Sequence, residues 1–358
     1  MHSSRTRQES LDWLRANPKS IEPGQSVEIG PFRPEDAEGV ARLYFAIYGE
    51  NFPLDYVYDP AQILAANAGP ELYQYVGRTP SGDIIGITAL FRAAPNPGIM
   101  ESGGLMILPA YRGGSLAVRL TKASLATLPE ELGLNAILGQ SVCDHLITQK
   151  MARHFSYFSY ALELESMPPR PEGSTDGVGG RISLLNQLRV FRDLPHTVHL
   201  PQRHADFLKG LYALQGLERN FGEDHPAWGQ TRFSTSVMDG ASLAKLMVTE
   251  PGTDLDEIID LFETDYPRRH AYHLQLPLAH PGLSAAVETA RKHGYFFGGL
   301  LPLWTGTDVL LLQKLGVEPD FSLPRLLSAE SIDLLAYIQA DWNSLTSSKT
   351  SRAIRPQP

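Results

Sequence analysis

The stretch from Leu105 to Leu120 constrains the fold more than any other part of this sequence. An apolar run ends at Pro109, Arg112-Gly113-Gly114-Ser115 follow, and a helical pattern begins at Leu116. This order predicts a strand, a tight loop and the start of a helix. Loop glycines let a ligand approach the backbone, and the first amides of a helix lack internal partners, so the stretch predicts an anion site. Arg112 adds a fixed positive charge suited to phosphate.

Two well-known phosphate motifs are excluded by the residues of this loop. No Gly-Lys-Ser/Thr follows the glycines, so the loop is not a Walker loop, and the third glycine of the dinucleotide fingerprint is missing. A Gly-Gly loop before a helix is also ordinary connecting structure. On the loop alone, both interpretations stay open.

Composition limits the class of protein. The chain has 358 residues, which favours two domains. Its apolar content of 42% and charged content of 20% are typical of a soluble globular protein, and its formal net charge of −9 argues against a nucleic-acid partner. Cys143 is the single cysteine, which favours a reducing compartment. The sequence has no long apolar run and no apolar signal core in residues 1–25, so we expect a cytoplasmic protein with no membrane partner.

From Ser26 the sequence alternates between strand and helix patterns in the order β-α-α-β-β-β-α-β-α-β. The predicted strands are Val27–Phe32, Leu72–Val76, Ile84–Phe91, Leu105–Leu108, Ala136–Val142 and Tyr157–Glu163. The predicted helices begin at Arg33, Pro60, Leu116 and Leu146. A short helix capped by Ser10 is expected before them.

The loop and the element order together resemble the GNAT superfamily of N-acetyltransferases. In that family a strand ending near a proline is followed by an Arg/Gln-x-x-Gly-x-Gly/Ala loop that grips the coenzyme A pyrophosphate. Residues Arg112 to Ala117 are similar, with Ser115 where the family usually has glycine. The resemblance covers residues 26–165. It implies a fold with both helices and strands, α/β in the broad sense and α+β in the strict one, with a mixed central sheet flanked by helices.

The alternation of strand and helix patterns begins again after segment 166–180. This segment is rich in Pro, Gly and Ser and is predicted to be a linker. Ala152–Phe158 is similar to Ala290–Phe296, and both lie at a turn from a late helix into a strand. This repeat favours duplication. We therefore predict two tandem GNAT-like domains, with an N-terminal extension 1–25, an acyl-CoA-binding domain 26–165, a linker 166–180, a degenerate domain 181–345 and a tail 346–358.

The second half has its own series of predicted elements. The strands are Thr197–Leu200, Phe233–Met238, Ser242–Val248, His273–Leu278, Tyr295–Leu301 and Val309–Leu315. The helices are 201–220, Leu255–Phe262, Leu283–His293 and Ser328–Trp342. Glu250, Asp254, Asp256 and Glu257 place negative charge around one helix start, which would repel a pyrophosphate. We predict that this half does not bind coenzyme A and instead forms a wall of the acceptor pocket or a homodimer surface.

The resemblance also implies residue roles. The residues expected to bind acetyl-CoA or another acyl-CoA are Leu105, Met106, Ile107, Leu108, Arg112, Gly113, Gly114, Ser115, Leu116 and Ala117. Backbone N–H groups of Leu105–Leu108 would bind the pantetheine arm and polarise the acyl carbonyl, with Ala136–Ser141 splayed beside them. Asp55 and Tyr56 lie in the region that lines the acceptor pocket in this superfamily. Aromatic packing is an equally good account of that region.

Candidate catalytic residues are few. The tyrosine that many family members use as general acid is replaced by Ala152. Glu101 is a candidate general base, with a solvated strand-end carboxylate as the alternative. His145 is a candidate catalytic residue, with helix capping as the alternative. Cys143 is expected to be a small buried residue, and the histidine spacings match no compact metal motif, so no metal is predicted.

The function implied by the resemblance is an acyltransferase. It would move an acetyl or other acyl group from acyl-CoA to a small-molecule or peptide amine by direct attack. Ala152 and Ser115 favour an alternative, a non-catalytic sensor or scaffold that binds acyl-CoA as a regulatory ligand. A third hypothesis is an aminoacyl or peptidyl transferase of the related duplicated kind, against which the acidic charge counts.

Overall fold

The computed structural model describes residues 5–170 and 180–353, with side chains as far as residue 346. By contacts the chain divides into two compact units, Met1–Ala93 with Met100–Ile137, and Ala94–Ile99 with Leu138–Pro358. We call them unit 1 and unit 2. Residues 138–165 thus group with unit 2, whereas the sequence assigned them to the first domain, and residues 171–179 of the predicted linker lie outside the described residues. The domain boundaries stay a prediction.

Helices and strands alternate from the N-terminal region onward. Residues up to 167 form α1 (Arg7–Ala16), β1 (Glu28–Pro31), α2 (Ala37–Tyr48), α3 (Pro60–Asn67), β2 (Leu72–Arg78), β3 (Ile84–Phe91), β4 (Ile99–Ile107), α4 (Leu116–Glu131), β5 (Ala136–Val142), α5 (Ile147–His154) and β6 (Phe158–Met167). This confirms the predicted order of elements over residues 26–165. None of the helices in the described part of the chain is long and apolar enough to cross a membrane.

Unit 1 is built on an antiparallel sheet in the order β1-β2-β3-β4. Strand β3 is buried on both faces, since Ile84 and Ile87 contribute to one apolar cluster and Ile85 to another. Val40 and Leu43 of α2 lie on the apolar face of this helix and join the first cluster. This packing of helices on both faces fixes the ends of β3 and β4, where the candidate site lies.

Two expectations about unit 1 are wrong in detail. Helix α1 is capped by Thr6 through a capping box with Glu9, and Ser10 is a buried residue inside the helix. Strand β4 begins at Ile99, so Glu101 lies within the strand and not before it. The polar and glycine residues at the start of β4 hide its strand character, which comes from pairing with β3.

Unit 2 contains α5, β6, most of β5 and all the elements that follow β6 in the chain. The elements after β6 are β7 (Ile182–Val190), β8 (His196–Val198), α6 (Ala205–Ala213), β9 (Arg219–Phe221), β10 (Arg232–Met238), β11 (Leu243–Glu250), α7 (Leu255–Asp265), β12 (Ala271–Pro277), α8 (Leu283–Lys292), β13 (Phe296–Leu301), β14 (Val309–Leu315) and α9 (Ala329–Ala353). The large sheet runs β5-β7-β6-β13-β14-β12-β11-β10. It is mixed, because β11 and β12 pair in parallel whereas the other described pairs are antiparallel. The predicted fold class, a mixed sheet flanked by helices, is confirmed.

The sequence prediction missed parts of unit 2 that depend on long-range pairing. Strand β7 was not predicted, and it pairs with β6, which extends to Met167 inside the predicted linker. Residues 219 and 220 were expected to end a helix but belong to β9, which pairs with β8. The terminal helix extends past Trp342 to Ala353. Local patterns carry no information on such partners, so these boundaries needed the tertiary structure.

A buried ionic network lies inside unit 2. Arg219 and Asp308 both have fully buried side chains, and Arg219 Nε lies 2.5 Å from Asp308 Oδ2. Arg219 Nη1 lies 2.9 Å from Asp193 Oδ1, and the backbone N–H of Leu303 donates to Asp308 Oδ1 at 2.8 Å. Burial by itself would raise the pKa of Asp308, but hydrogen bonds from His196 and Arg219 outweigh it, so the pKa is lowered. The carboxylate therefore stays ionised inside the unit.

Unit 2 also buries His273 completely, which predicts a pH-dependent stability. Burial lowers the pKa of His273 from 6.5 to about 4, against the attraction of Glu163. The unfolded chain therefore binds a proton near pH 6.5 that the folded chain binds only near pH 4. Because the unfolded state takes up more protons in this window, we expect acidification from pH 6.5 to 4 to remove on the order of 3 kcal/mol of stability through this residue.

Urea unfolding of the wild-type protein and of His273→Gln across this pH range checks the prediction. The variant should lose less stability than the wild type as the pH falls. The matched control is His225→Gln, which makes the same change at an exposed histidine. Parallel curves for the wild type and His273→Gln would contradict the assignment.

Candidate functional site

Strand β4 is interrupted by a β-bulge just before the loop. Ile87 lies opposite Met106 and Ala89 opposite Gly103, so one residue of β3 faces two residues of β4, Gly104 and Leu105. Gly104 has a φ of +62°, in the region that favours glycine. A bulge leaves its extra residue outside the ladder, and both bulge residues are exposed. Backbone groups of β4 are therefore accessible where the sequence predicted donors for an acyl carbonyl.

The loop after β4 is open. Arg112 Nε donates to the backbone carbonyl of Ile107 at 2.9 Å, which ties the exposed guanidinium to the end of the strand. Gly113 has a φ of +86°. A Cβ atom built on Gly113 or Gly114 would meet no heavy atom within 4 Å. The loop thus has room for a ligand against its backbone.

Helix α4 presents an uncompensated N-terminus to this loop. Its first turn contains no acidic residue, and Ser115 makes no side-chain capping hydrogen bond. Leu116 is buried with Ile85 and Leu120, which fixes the start of the helix on the sheet. The first amide groups and the positive end of the helix dipole therefore add to the charge of Arg112. The arrangement is electrostatically suited to a phosphate group.

The corresponding region of unit 2 differs in the charge at its helix start and in the space within its loop. Asp254 Oδ1 accepts from the N–H of Thr231 at 2.6 Å, and the first turn of α7 carries Asp256 and Glu257. A Cβ atom on Gly252 would lie 2.3 Å from the Thr231 nitrogen, so the backbone of that segment fills the loop. Strand β11 also has an irregularity before its loop, because its register against β10 shifts between Arg232 and Phe233. The charge and the filled loop therefore distinguish the two halves, and they favour the prediction that this half binds no coenzyme A.

The predicted cofactor-binding residues differ in how far their side chains are exposed to solvent. Met106, Ile107 and Leu116 have buried side chains that belong to the apolar clusters of unit 1. Only their backbone groups are available to a ligand. Leu105 has a side chain that is 39% exposed, and residues 112–115 are all exposed. Of the predicted residues, Leu105 in the bulge and residues 112–115 of the loop are therefore accessible to a ligand.

The predicted acceptor residues lie in a one-turn helix, Asp55–Tyr58. Asp55 is exposed and forms an ion pair with Arg7, whereas Tyr56 is half-buried, and burial raises its pKa. Tyr56 and Tyr44 lie close enough to interact electrostatically. The hydroxyl of Tyr44 lies 4.0 Å from the position that a Cβ atom would take on Gly104. The tyrosines therefore connect the predicted acceptor region with the bulge.

Sequence reasoning missed three residues of this region. Gly104 could have been found, because two adjacent glycines inside a strand are a signal of a bulge. Tyr44 was not predicted as a site residue, because its proximity to the bulge depends on tertiary structure. Arg7 donates to the carbonyls of Glu50 and Phe52 at 2.6 and 2.8 Å, which orders the loop before Asp55. Nothing in the sequence near Arg7 indicates this.

The two candidate catalytic residues have different surroundings. Glu101 lies in β4 opposite Phe91 and is partly buried. His145 belongs to unit 2, and its Nδ1 accepts from the N–H of Ile147 at 3.3 Å, at the start of α5. Its Nε2 lies 4.0 Å from Asp144. The contact involves an amide at the start of α5, but the N-cap residue is Leu146, which makes no side-chain capping bond. The catalytic roles of Glu101 and His145 stay predictions.

No family model and no curated protein matches this chain. Among solved structures it is similar to the ribosomal-protein-S5-alanine acetyltransferase of Vibrio fischeri, with a TM-score of 0.38 and 11% identity over 48% of this chain and 97% of that one. A GNAT-family acetyltransferase of Streptococcus pneumoniae gives 0.38 and 12%, over 46% and 100%. A spermidine/spermine N-acetyltransferase of Vibrio cholerae gives 0.36 and 12%, over 46% and 95%. Each of the three is an acetyltransferase.

Proposed function

We propose that unit 1 binds acetyl-CoA or another acyl-CoA and transfers the acyl group to an amine. The observation that carries this proposal is the coincidence of a bulged strand, an open glycine loop with Arg112 and a helix N-terminus without acidic residues. In this assignment the loop and α4 hold the pyrophosphate. Backbone N–H groups at Gly104 and Leu105 polarise the thioester carbonyl. Tyr44 and Tyr56 line the path of the amine.

The proposed reaction is a direct attack of the amine on the thioester carbonyl. Glu101 removes a proton from the ammonium form, the nitrogen forms a bond to the carbonyl carbon, and the carbon–sulfur bond breaks. The nitrogen loses its second proton as the amide forms, and a water molecule relays that proton to the thiolate, since Ala152 stands where the family has its acid. Cys143 offers no covalent route. It is buried, and burial raises the pKa of its thiol to about 12.

Several coarser properties accompany the proposal. The acceptor is a small-molecule or peptide amine, and a single buried thiol favours a reducing compartment such as the cytoplasm. The acidic composition disfavours nucleic acid as a partner. These statements rest on composition and on the proposed site together.

The test is a calorimetric titration with acetyl-CoA combined with a thioester-consumption assay. The assay uses an alkyl diamine, an aryl amine and a peptide N-terminus as acceptors. Binding with turnover on any of them supports the acyltransferase. Binding without turnover on all of them favours the second candidate, a sensor or scaffold, for which Ala152 and Ser115 are the specific observations. Absence of binding would overturn both.

Substitution of Glu101 by glutamine tests the proposed base. We expect kcat/KM to fall roughly tenfold to a hundredfold below the pKa of the acceptor amine, because deprotonation must then precede attack. Above that pKa the variant should approach the wild type. The measurement is the pH–rate profile with one acceptor, and Glu130→Gln, an exposed change in α4, is the control. An unchanged profile would remove Glu101 from the mechanism.

A further inference from the structure

Strand β10 ends the large sheet of unit 2 and pairs on one side only, with β11. All of its residues are exposed except Val237, which is partly exposed. The side chains of Phe233 and Met238 are 40% and 45% exposed. Trp228, in the loop before the strand, is 71% exposed. The edge therefore presents apolar side chains beside backbone groups available for pairing.

This edge lacks the usual protection against another strand. Natural edge strands carry charges, prolines or bulges that prevent pairing with another chain. From Phe233 to Met238 the strand contains no charged residue and no proline, and its register shift lies before Phe233. An accessible edge of this kind is expected to be covered by a partner strand.

The pattern of β10 matches a second copy of itself. A two-fold axis normal to the sheet must pair residues of the same face, and an axis at Thr235 sets Phe233 opposite Val237 of the partner subunit. Thr235 then faces Thr235 of the partner subunit. Aromatic–β-branched and Thr–Thr pairs are among the favourable cross-strand pairs. The chemistry of the strand is thus self-complementary in this register.

The charges at the two ends of β10 are compatible with the same arrangement. Arg232 begins the strand and forms an ion pair with Glu250 of the same chain, at 3.4 Å. Asp239 follows the strand and forms an ion pair with Arg269 of the same chain, at 2.6 Å. Because each of these charges is paired within the chain, neither end of the edge carries an excess of one charge that would repel a second copy.

We propose that a second copy of this chain docks on β10, in antiparallel register about Thr235, and continues the sheet of unit 2. The interface is isologous, as two-fold symmetry requires. It is independent of the proposed acyl transfer. It assigns an interaction role to unit 2, which we predict binds no coenzyme A.

Cysteine cross-linking tests the register. In Thr235→Cys the two new thiols face each other across the axis, within reach of a disulfide. In the matched control Ser236→Cys the two thiols lie on the other face of the sheet. They are diagonal to each other and not directly opposite, which leaves them too far apart to bridge. We expect oxidation to give a covalent dimer with the first variant and not with the second. Cys143 is buried and does not interfere. Equal cross-linking of both, or of neither, would overturn the register.

Sedimentation of the uncross-linked full chain tests the interface itself. The wild-type protein is expected to dimerise with increasing concentration. Thr235→Lys places like charges opposite each other and should raise the dimer dissociation constant at least about tenfold. Ser236→Lys adds the same charge without self-pairing and should change it less. Circular dichroism verifies that each variant is folded. A wild type that stays monomeric at every concentration would overturn the proposal.

Discussion

Replacing Arg112 by glutamate is expected to abolish the binding of acetyl-CoA, with a loss of affinity of at least about a hundredfold. The change removes a guanidinium next to the N-terminus of α4 and places a carboxylate where a pyrophosphate is proposed to lie. Like charges at contact distance repel, and the helix dipole no longer acts with a side-chain cation. The measurement is a calorimetric titration of both proteins with acetyl-CoA.

The variant should fold normally, which makes the result interpretable. Arg112 is exposed and its described hydrogen bond is the one to Ile107. Exposed substitutions of this kind usually change the free energy of unfolding by about 0.5 kcal/mol or less. Arg33→Glu is a matched charge reversal in unit 1, at a residue exposed beside Glu28, and should keep its affinity. If Arg112→Glu binds as tightly as the wild type, the loop is the ordinary connection that its sequence also allows.

The loop could be predicted from sequence because its signals are local. A strand end, two glycines and a helix start follow one another within a few residues, and the exposed Gly113 and buried Leu116 match that order. Two adjacent glycines indicate a bulge in β4, but its exact position at Gly104 and Leu105 is defined by the register against β3. The neighbouring Tyr44 became part of the region only when α2 packed on the sheet. The geometry of the candidate site depends on how strands pair and helices pack, and no single segment of the sequence determines this.

The same distinction separates the two halves of the chain. Acidic residues around α7 could be read directly, and the filled loop at Gly252 agrees with them. Strand β7 was missed because its Asn186 and Gln187 obscure the strand pattern. Asn186 donates to Glu163 and Gln187 accepts from Ser141, inside the sheet. Polar residues satisfied by long-range partners look like loop residues in the sequence.

The second large effect is expected in unit 2, where Arg219→Met should lower the free energy of unfolding by about 3–5 kcal/mol. Methionine keeps much of the aliphatic volume but removes the guanidinium from Asp308, which is fully buried and keeps His196 and the Leu303 N–H as partners. An uncompensated buried carboxylate is more costly than the lost attraction alone. The measurement is urea unfolding at neutral pH.

A double variant separates this explanation from a loss of packing. Arg219→Met combined with Asp308→Leu removes both charges, and the pair should be less destabilised than Arg219→Met by itself, because no buried charge remains unpaired. Arg203→Met is the matched control, since Arg203 pairs with Glu288 and both side chains are substantially exposed. Its loss should stay within about 1 kcal/mol. A double variant that is destabilised by the sum of the two single changes would show that the network contributes through packing, and the buried ion pair would lose its assigned role.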